Sequence, residues 1–137
     1  MIRSRPLETA EVRLQSGRTP RVPTIEETVR IKAFLIVRRN QTRDYLDVAA
    51  LADHYGVAAA SRVLSKLDDY YSDQHGQGVG VATQLARQLA APKPKDSSVT
   101  RQLAEYRNLA ARWTDWQEVV EVCQQVAEGM LEAGLEA

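Results

Sequence analysis

The polar and apolar positions at the start of the chain predict a short β-hairpin. Residues 11–15 alternate between polar and apolar side chains, as a half-buried strand does. Residues 16–20 have the composition of a turn, and residues 21–23 can return as a second strand. An isolated two-stranded hairpin is marginal in water, so this one needs a larger surface to pack on. We expect residues 1–10 to form a flexible N-terminal segment.

The rest of the chain has the apolar spacing of helices. Thr24 is the predicted N-cap of the first helix, and Glu27 completes a capping box with it. Thr42 is the predicted N-cap of the second helix, which stops at Gly56. Further helices are predicted at about residues 57–71, 81–90, 100–111 and from 114 or 115 onwards. The predicted fold is therefore mostly α, with about six helices in a compact bundle and a short N-terminal β-hairpin or strand pair, in a single domain over residues 11–137.

Composition and charge exclude several classes of function. The chain has 137 residues, of which 18 are basic and 18 acidic, so we expect no general nucleic-acid-binding surface. Residues 1–6 lack the apolar stretch of a signal peptide, and no apolar run is long enough to span a bilayer, so we expect no membrane partner. Cys123 is the only cysteine, which fits a reducing compartment and predicts a cytoplasmic protein. Residues 91–98 have the composition of a linker.

Several residues that could carry chemistry have a more ordinary explanation. His54 and His75 have no further ligand near them in the sequence, so no metal site is predicted. Residues 76–80 are rich in glycine, but they follow a helix and lack the lysine of a phosphate-binding loop, so we predict a flexible loop. The residues predicted to belong to the core instead of a reactive or stacking site are Trp113, Trp116 and Cys123.

Charged residues gather where the first two helices meet. Lys32 lies on the apolar side of the first helix, which ends in two arginines at positions 38 and 39. Asp44 and Asp47 share one face of the second helix, and Arg43 precedes them. A short turn between the helices would bring these charges close together. They would form either an ion-pair cluster that fixes the interhelical angle or a polar site for a phosphate-bearing ligand.

Residues 22–51 resemble the closing motifs of the AbiEii/AbiGii-type nucleotidyltransferase toxins. That pattern is a Thr-x-x-Glu helix start, a Lys five residues after the Glu, an Arg, and then Arg-Asp-x-x-Asp with a following Leu. The matching residues are Thr24, Glu27, Lys32, Arg38 or Arg39, Arg43, Asp44, Asp47 and Leu51. The resemblance implies that the Lys and Arg side chains face the triphosphate of an NTP, with Lys32 and Asp44 as candidate catalytic residues. The nucleotide-binding candidates that it implies are Thr24, Glu27, Lys32, Arg39, Arg43, Asp44 and Asp47, with no metal ligand among them.

The first motif of that family has no counterpart in this chain. The family has a Gly-Ser turn followed by two metal-binding carboxylates, whereas here Ser16 and Gly17 stand in reverse order and no acidic pair follows. The resemblance therefore implies the helical half of a split or degenerate nucleotidyltransferase of a bacterial toxin–antitoxin system, not active alone. Such a chain binds no cofactor alone. It would take NTP and Mg²⁺ once a protein partner supplied the N-terminal half.

Two other functions fit the same residues. The chain could be a non-catalytic protein–protein interaction module or a homodimer closing on its strand edge, with the motifs kept as a structural ion-pair network. It could also be a self-sufficient enzyme or nucleotide sensor that uses Lys32 and Asp44.

Overall fold

Five α-helices and two pairs of short strands make up the described part of the chain. The computed structural model describes residues 2–3, 5–72, 79–106 and 109–134. The helices are α1 (Ile25–Arg39), α2 (Thr42–Tyr55), α3 (Val57–Ser65), α4 (Val81–Ala90) and α5 (Trp116–Glu132). The antiparallel strand pairs are β1 (Ile2–Arg3) with β4 (Tyr71–Ser72) and β2 (Thr9–Glu11) with β3 (Arg21–Pro23). The predicted mostly helical fold with a short N-terminal strand pair is confirmed. The predicted glycine loop falls mainly on residues 73–78, which lie outside the described residues, as does His75.

The core lies where α1 and α5 each pack against α2, α3 and α4. Helix α5 buries most of the apolar face that its spacing predicted. The buried residues are Val119, Cys123, Val126, Ala127 and Met130, together with Val122, which was not predicted, whereas the predicted Leu131 is 46% exposed. Burial raises the pKa of the Cys123 thiol to about 12, so this residue behaves as a small hydrophobe. Trp113 is buried, while Trp116 is half-buried and packs edge-on against Tyr45 with ring centroids 6.1 Å apart. Among the described helices, none is long and apolar enough to cross a membrane.

Helix α1 begins where predicted, but its capping box is incomplete. The Thr24 hydroxyl accepts a hydrogen bond from the backbone N–H of Glu27 at 3.1 Å. The Glu27 side chain does not return this bond, because the backbone N–H of Thr24 already donates to the carbonyl of Glu8 at 3.0 Å. The Glu27 side chain turns into the protein instead, where it is 0% exposed.

The bend between α1 and α2 is held by the segment that was predicted to be a linker. Helix α1 ends at Asn40, which adopts the left-handed conformation with φ 53°. The N-cap of α2 is Gln41, so the prediction that Thr42 caps this helix is wrong. Thr42 binds Asp96 instead: its backbone N–H and its hydroxyl lie 2.7 and 2.8 Å from Asp96 Oδ1. Lys95 also donates its backbone N–H to the Asn40 carbonyl at 2.8 Å, so this segment is tied to the bundle.

The third predicted helix ends earlier than residue 71. Helix α3 stops at Ser65 and is followed by a 3-10 turn (Leu67–Asp69) and by β4. The Tyr71 ring stacks on Phe34 of α1 with centroids 4.1 Å apart, and its strand pairs with β1. These tertiary contacts hold the chain extended where the local pattern alone favoured another turn of helix.

The fifth predicted helix, at residues 100–111, is wrong. The described chain has 3-10 turns at Ser97–Arg101, Leu103–Glu105 and Ala111–Thr114, so it contains five α-helices instead of about six. Among the described residues of this region, Leu103 and Trp113 are the buried anchors, and they lie far apart in the sequence. An amphipathic helix draws most of its stability from a continuous packed face, which two distant anchors do not provide.

Helices α3 and α5 approach each other closely at Gly129. A β-carbon built on Gly129 would lie 2.2 Å from the Ser61 hydroxyl oxygen and 2.6 Å from the Ser61 β-carbon. The Ser61 hydroxyl is held in place, because it donates to the carbonyl of Val57 at 2.7 Å and lies 3.1 Å from the carbonyl of Val126. The close approach of α3 and α5 therefore depends on the absence of a side chain at Gly129.

Replacing Gly129 with alanine is expected to destabilise the protein by about 1–3 kcal/mol through overpacking, although alanine is the better helix former. Adding Ser61→Gly should restore most of the lost stability, because it removes both atoms that the new β-carbon meets. Urea unfolding of the two single variants and the double variant measures this coupling. Strictly additive effects would show that this pair does not set the helix spacing.

Candidate functional site

The seven predicted nucleotide-binding residues do not converge on one cleft. They form the three contacts Thr24 with Glu27, Lys32 with Asp47, and Arg39 with Asp44, and the seventh residue is the exposed Arg43. Glu27 and Arg39 lie near opposite ends of α1. Their separation corresponds to about 18 Å of helix axis, too far for one triphosphate to contact both ends.

Lys32 and Asp47 form an ion pair between α1 and α2. The Lys32 ammonium lies 3.3 Å from Asp47 Oδ2, and both side chains are partly exposed. A shallow surface pocket of about 320 Å³ lies beside them, lined by Thr28, Lys32, Asp47, Ala50, Leu51 and His54. The two helices do bring these residues together, as their spacing predicted, and each charge is balanced by the other.

Asp44 is buried at the bend between α1 and α2. Its side chain is 0% exposed, pairs with Arg39, and accepts a hydrogen bond from the backbone N–H of Gln41 at 3.1 Å. The hydrogen bond between Arg39 and Asp44 and the negative charge of Asp44 raise the pKa of Arg39 above its ordinary value. These contacts are those of an ion-pair cluster that fixes the interhelical angle.

A buried network of charges surrounds Glu27. The side chain of Glu27 is 0% exposed and that of Arg30 is 4% exposed. The Arg3 guanidinium lies 2.7 Å from each carboxylate oxygen of Glu27 and donates a hydrogen bond to Oε2. Arg30 lies 3.3 Å from the same carboxylate, and the backbone N–H of Glu8 donates to it at 2.8 Å. The Glu27 side chain of α1 thus binds the N-terminal segment at two residues, Arg3 and Glu8.

Two tyrosines extend the network to β4. The Arg30 guanidinium pairs with Glu8 and lies over the Tyr70 ring, 3.8 Å from its centroid. The Tyr70 hydroxyl donates to the Glu8 carboxylate at 3.0 Å, and Arg3 donates to the Tyr71 hydroxyl at 2.9 Å. The network, defined as Arg3, Glu8, Glu27, Arg30, Tyr70 and Tyr71, therefore ties β1, the segment before β2, α1 and β4 together.

The hydrogen bonds and charges around Glu27 together outweigh the effect of burial on its pKa. Burial alone would raise the pKa of its carboxyl group, but hydrogen bonds from Arg3 and from the backbone of Glu8 lower the pKa below its ordinary value. The sequence prediction missed this network, because its members follow no known motif. The available signal was an acidic and a basic residue three positions apart on one helix, Glu27 and Arg30.

The network positions a hairpin, residues 9–23, formed by β2, β3 and the connection between them. The register of β2 and β3 continues beyond the strands, since the backbone N–H of Leu14 donates to the carbonyl of Arg18 at 2.8 Å. A three-residue loop, residues 15–17, closes the ribbon, and its last residue, Gly17, has φ +87°. This loop length commonly ends in a left-handed residue, which glycine adopts without strain.

The hairpin has an apolar face and a polar face. Residues opposite each other in an antiparallel pair point to the same side, and successive residues alternate. The apolar face carries Ala10, Val12, Leu14, Pro20 and Val22, with Arg18 opposite Leu14 at its end. The other face carries Thr9, Glu11, Arg13, Thr19, Arg21 and Pro23, and all but Pro23 are polar. Every side chain from residue 10 to residue 23 is exposed, so the described protein leaves the apolar face uncovered.

The chain is similar over nearly its whole length to a segment of much larger transport proteins. It is 39% identical, over 93% of its length, to the mycolic acid-containing lipids exporter MmpL11 of Mycolicibacterium smegmatis. It is 39% identical over 95% of its length to the heme uptake protein MmpL11 of Mycobacterium tuberculosis, and 40% identical over 95% to the probable transport protein MmpL11 of Mycobacterium leprae. The chain spans only 12–13% of the length of these relatives. No protein-family model matches the chain, and no solved structure matches it significantly.

These relatives show that the nucleotidyltransferase resemblance is wrong. The match to MmpL11 extends over 93–95% of the chain, whereas the resemblance used only residues 22–51. The assignments to a split nucleotidyltransferase and to a toxin–antitoxin system are therefore overturned. The physical reason is visible in the structure: Thr24 is a helix cap, and Asp44 and Asp47 form interhelical ion pairs. Such features recur in unrelated helical proteins, so their spacing carries little information about chemistry.

The NTP, Mg²⁺ and N-terminal partner expected from the resemblance lose their support with it. Lys32 and Asp44, the candidate catalytic residues, are each paired with an opposite charge of the same protein. Among the described residues, no three histidine, cysteine or acidic side chains are grouped closely enough to hold a metal ion.

Replacing Glu27 with glutamine is expected to destabilise the protein by about 3 kcal/mol, because the change leaves Arg30 buried without its full charge partner. Glu26→Gln is the matched control: Glu26 accepts a hydrogen bond from the Tyr55 hydroxyl at 3.1 Å, which glutamine can also accept. The control should change stability by no more than about 0.5 kcal/mol. Urea unfolding at pH 7 compares the two variants.

Acid should weaken the same network in the unchanged protein. Folding lowers the pKa of Glu27 below the ordinary value of 4.5, so the folded state binds this proton less readily than the unfolded state. The stabilisation is therefore present above pH 4.5 and is lost as the pH falls through the folded pKa. Unfolding measured across this range should show a shallower pH dependence in Glu27→Gln than in Glu26→Gln. If the two variants show the same pH dependence of unfolding, the assignment of this acid sensitivity to Glu27 is contradicted.

Proposed function

We propose that this chain is a helical module of an MmpL11-type transport protein and does the work of the segment that it matches. The observation that carries the proposal is the 39–40% identity to three such proteins over nearly the whole chain. The relatives are named for lipid export and for heme uptake, so the proposed role is in moving an apolar cargo or in controlling that movement.

We propose that the module supports the transporter through contacts and does not enclose the cargo. The pocket beside Lys32 and Asp47 lies on the surface, and His54 on its rim is exposed. Sites that bind a small apolar molecule usually bury most of its surface in a concave pocket. The hairpin, by contrast, offers an apolar face with no partner in the described protein, which is typical of a surface that binds a protein or a membrane.

We also propose that the module lies on the cytoplasmic side of the transporter. Its single cysteine is a free, buried thiol, and proteins of oxidising compartments more often pair their cysteines in disulfides.

Replacing the matched segment of the Mycolicibacterium smegmatis exporter with this chain tests the proposal. Cells that carry the chimera should retain at least half of the export of mycolic acid-containing lipids, measured by surface-lipid extraction and chromatography. Deleting the segment should remove most of the export. The same chimera with Gly129→Leu serves as a control with a disrupted α3–α5 contact, and immunoblots normalise the protein level. A well-expressed chimera that exports no more than the deletion would refute the proposal, as would normal export by the deletion.

A further inference from the structure

The uncovered face of the hairpin is the feature of the described chain that its own fold does not explain. Val12, Leu14 and Val22 are 42%, 45% and 37% exposed, and they point to one side of the ribbon. Leu7, just before the hairpin, is 56% exposed. Contiguous exposed apolar side chains on a protein mark a surface that another phase or molecule covers.

The charge of the hairpin is the second observation. Residues 9–23 contain three arginines, Arg13, Arg18 and Arg21, and one acidic residue, Glu11, which is paired with Arg21. The hairpin is therefore positively charged, although the whole chain has no net charge. An arginine side chain is long enough to place its guanidinium beside or above an apolar face that is buried by a partner.

The size of the apolar face indicates whether a protein or a lipid surface covers it. It consists of four aliphatic side chains and one alanine, Val12, Leu14, Pro20, Val22 and Ala10. A stable protein interface usually involves about 20–30 residues on each side. A few aliphatic side chains flanked by arginines are instead sufficient for binding to an anionic lipid surface, where shallow insertion and attraction to phosphate groups act together.

We propose that the hairpin binds the surface of an anionic phospholipid bilayer, with its apolar face in the headgroup region and its arginines on the lipid phosphates. The proposal goes against the expectation of no membrane contact, which considered only spanning segments and not the surface of a folded hairpin. It does not depend on the role in transport, because the isolated chain is sufficient to test it.

The Glu27 network gives this hairpin a fixed base. Both ends of the ribbon are held there, since the backbone N–H of Thr24 bonds to Glu8 and the backbone N–H of Glu8 bonds to the Glu27 carboxylate. The hairpin continues into α1, whereas α5, which carries four glutamates, packs on α2, α3 and α4.

Flotation of the 137-residue chain with vesicles tests the proposal. Vesicles of phosphatidylcholine with phosphatidylglycerol are expected to bind at least tenfold more protein than vesicles of phosphatidylcholine alone, with the difference shrinking at high salt. Two double variants should each reduce binding at least fivefold: Val12→Ser with Leu14→Ser, and Arg13→Gln with Arg18→Gln. All four side chains are exposed, so the thermal unfolding of the bundle should not change.

Arg43→Gln with Arg101→Gln is the matched control, because it removes the same charge from exposed positions elsewhere. Arg43 lies in the first turn of α2, and Arg101 ends the 3-10 turn after Asp96, which binds Thr42. Both therefore lie beyond the far end of α1, about 22 Å of helix from the hairpin. This control should bind within twofold of the unchanged protein. The proposal would be overturned by absent binding to anionic vesicles, by equal loss in the control, or by full binding after removal of Val12 and Leu14.

A fluorescent label gives an independent readout of insertion. Leu14→Cys can be labelled selectively with an environment-sensitive dye, because the native Cys123 is fully buried and burial raises its pKa to about 12. Its emission should increase several-fold and shift to the blue with anionic vesicles. The same dye on Ala104→Cys, an exposed position in the turn Leu103–Glu105, should not respond. If the hairpin binds an acidic protein and not lipid, neither label will respond to the vesicles, and that result would refute the proposal.

Discussion

The buried carboxylate of Glu27 is the constraint on which the N-terminal half of this structure depends. A charged group with no exposure is tolerated only where opposite charge and hydrogen bonds compensate for its lost hydration. Arg3, Arg30 and the backbone of Glu8 supply that compensation. Because Arg3 and Glu8 come from the segment before the hairpin, satisfying one side chain of α1 also fixes the path of the chain that precedes it.

The same constraint connects the fold to the proposed functions. A two-stranded ribbon with both faces exposed has little stability of its own. Anchoring at its base allows the hairpin to keep its register while its apolar face stays uncovered. The bundle beneath is stabilised in the ordinary way, by aliphatic side chains and by the close contact of α3 with α5 at Gly129. A fixed base and an uncovered apolar ribbon are the two structural features on which the proposed attachment depends.

The corrected assignment shows how far local motifs can be trusted. The spacing of Thr24, Glu27 and Lys32 with the charges of α2 matched a family pattern. The separate expectation that a short turn brings the charges of α1 and α2 together holds for Lys32 and Asp47. The chemistry was nevertheless wrong, because a cap and two ion pairs satisfy the same spacing for structural reasons. Identity spread over the whole chain carries more weight, since core, turns and surface must all agree with it.

Local sequence determined the elements whose causes are local. The Thr24 cap, the stop at Gly56, the helix at residues 81–90 and the apolar face of α5 were all predictable, because capping and amphipathic spacing act within a few residues. Only the tertiary structure decided the rest. Tyr71 became part of a strand through its contact with Phe34, the described residues between 97 and 114 formed 3-10 turns instead of a helix, and Glu27 turned inward to meet Arg3. Each of these outcomes depends on the energy of contacts between residues distant in the chain, which no local pattern contains.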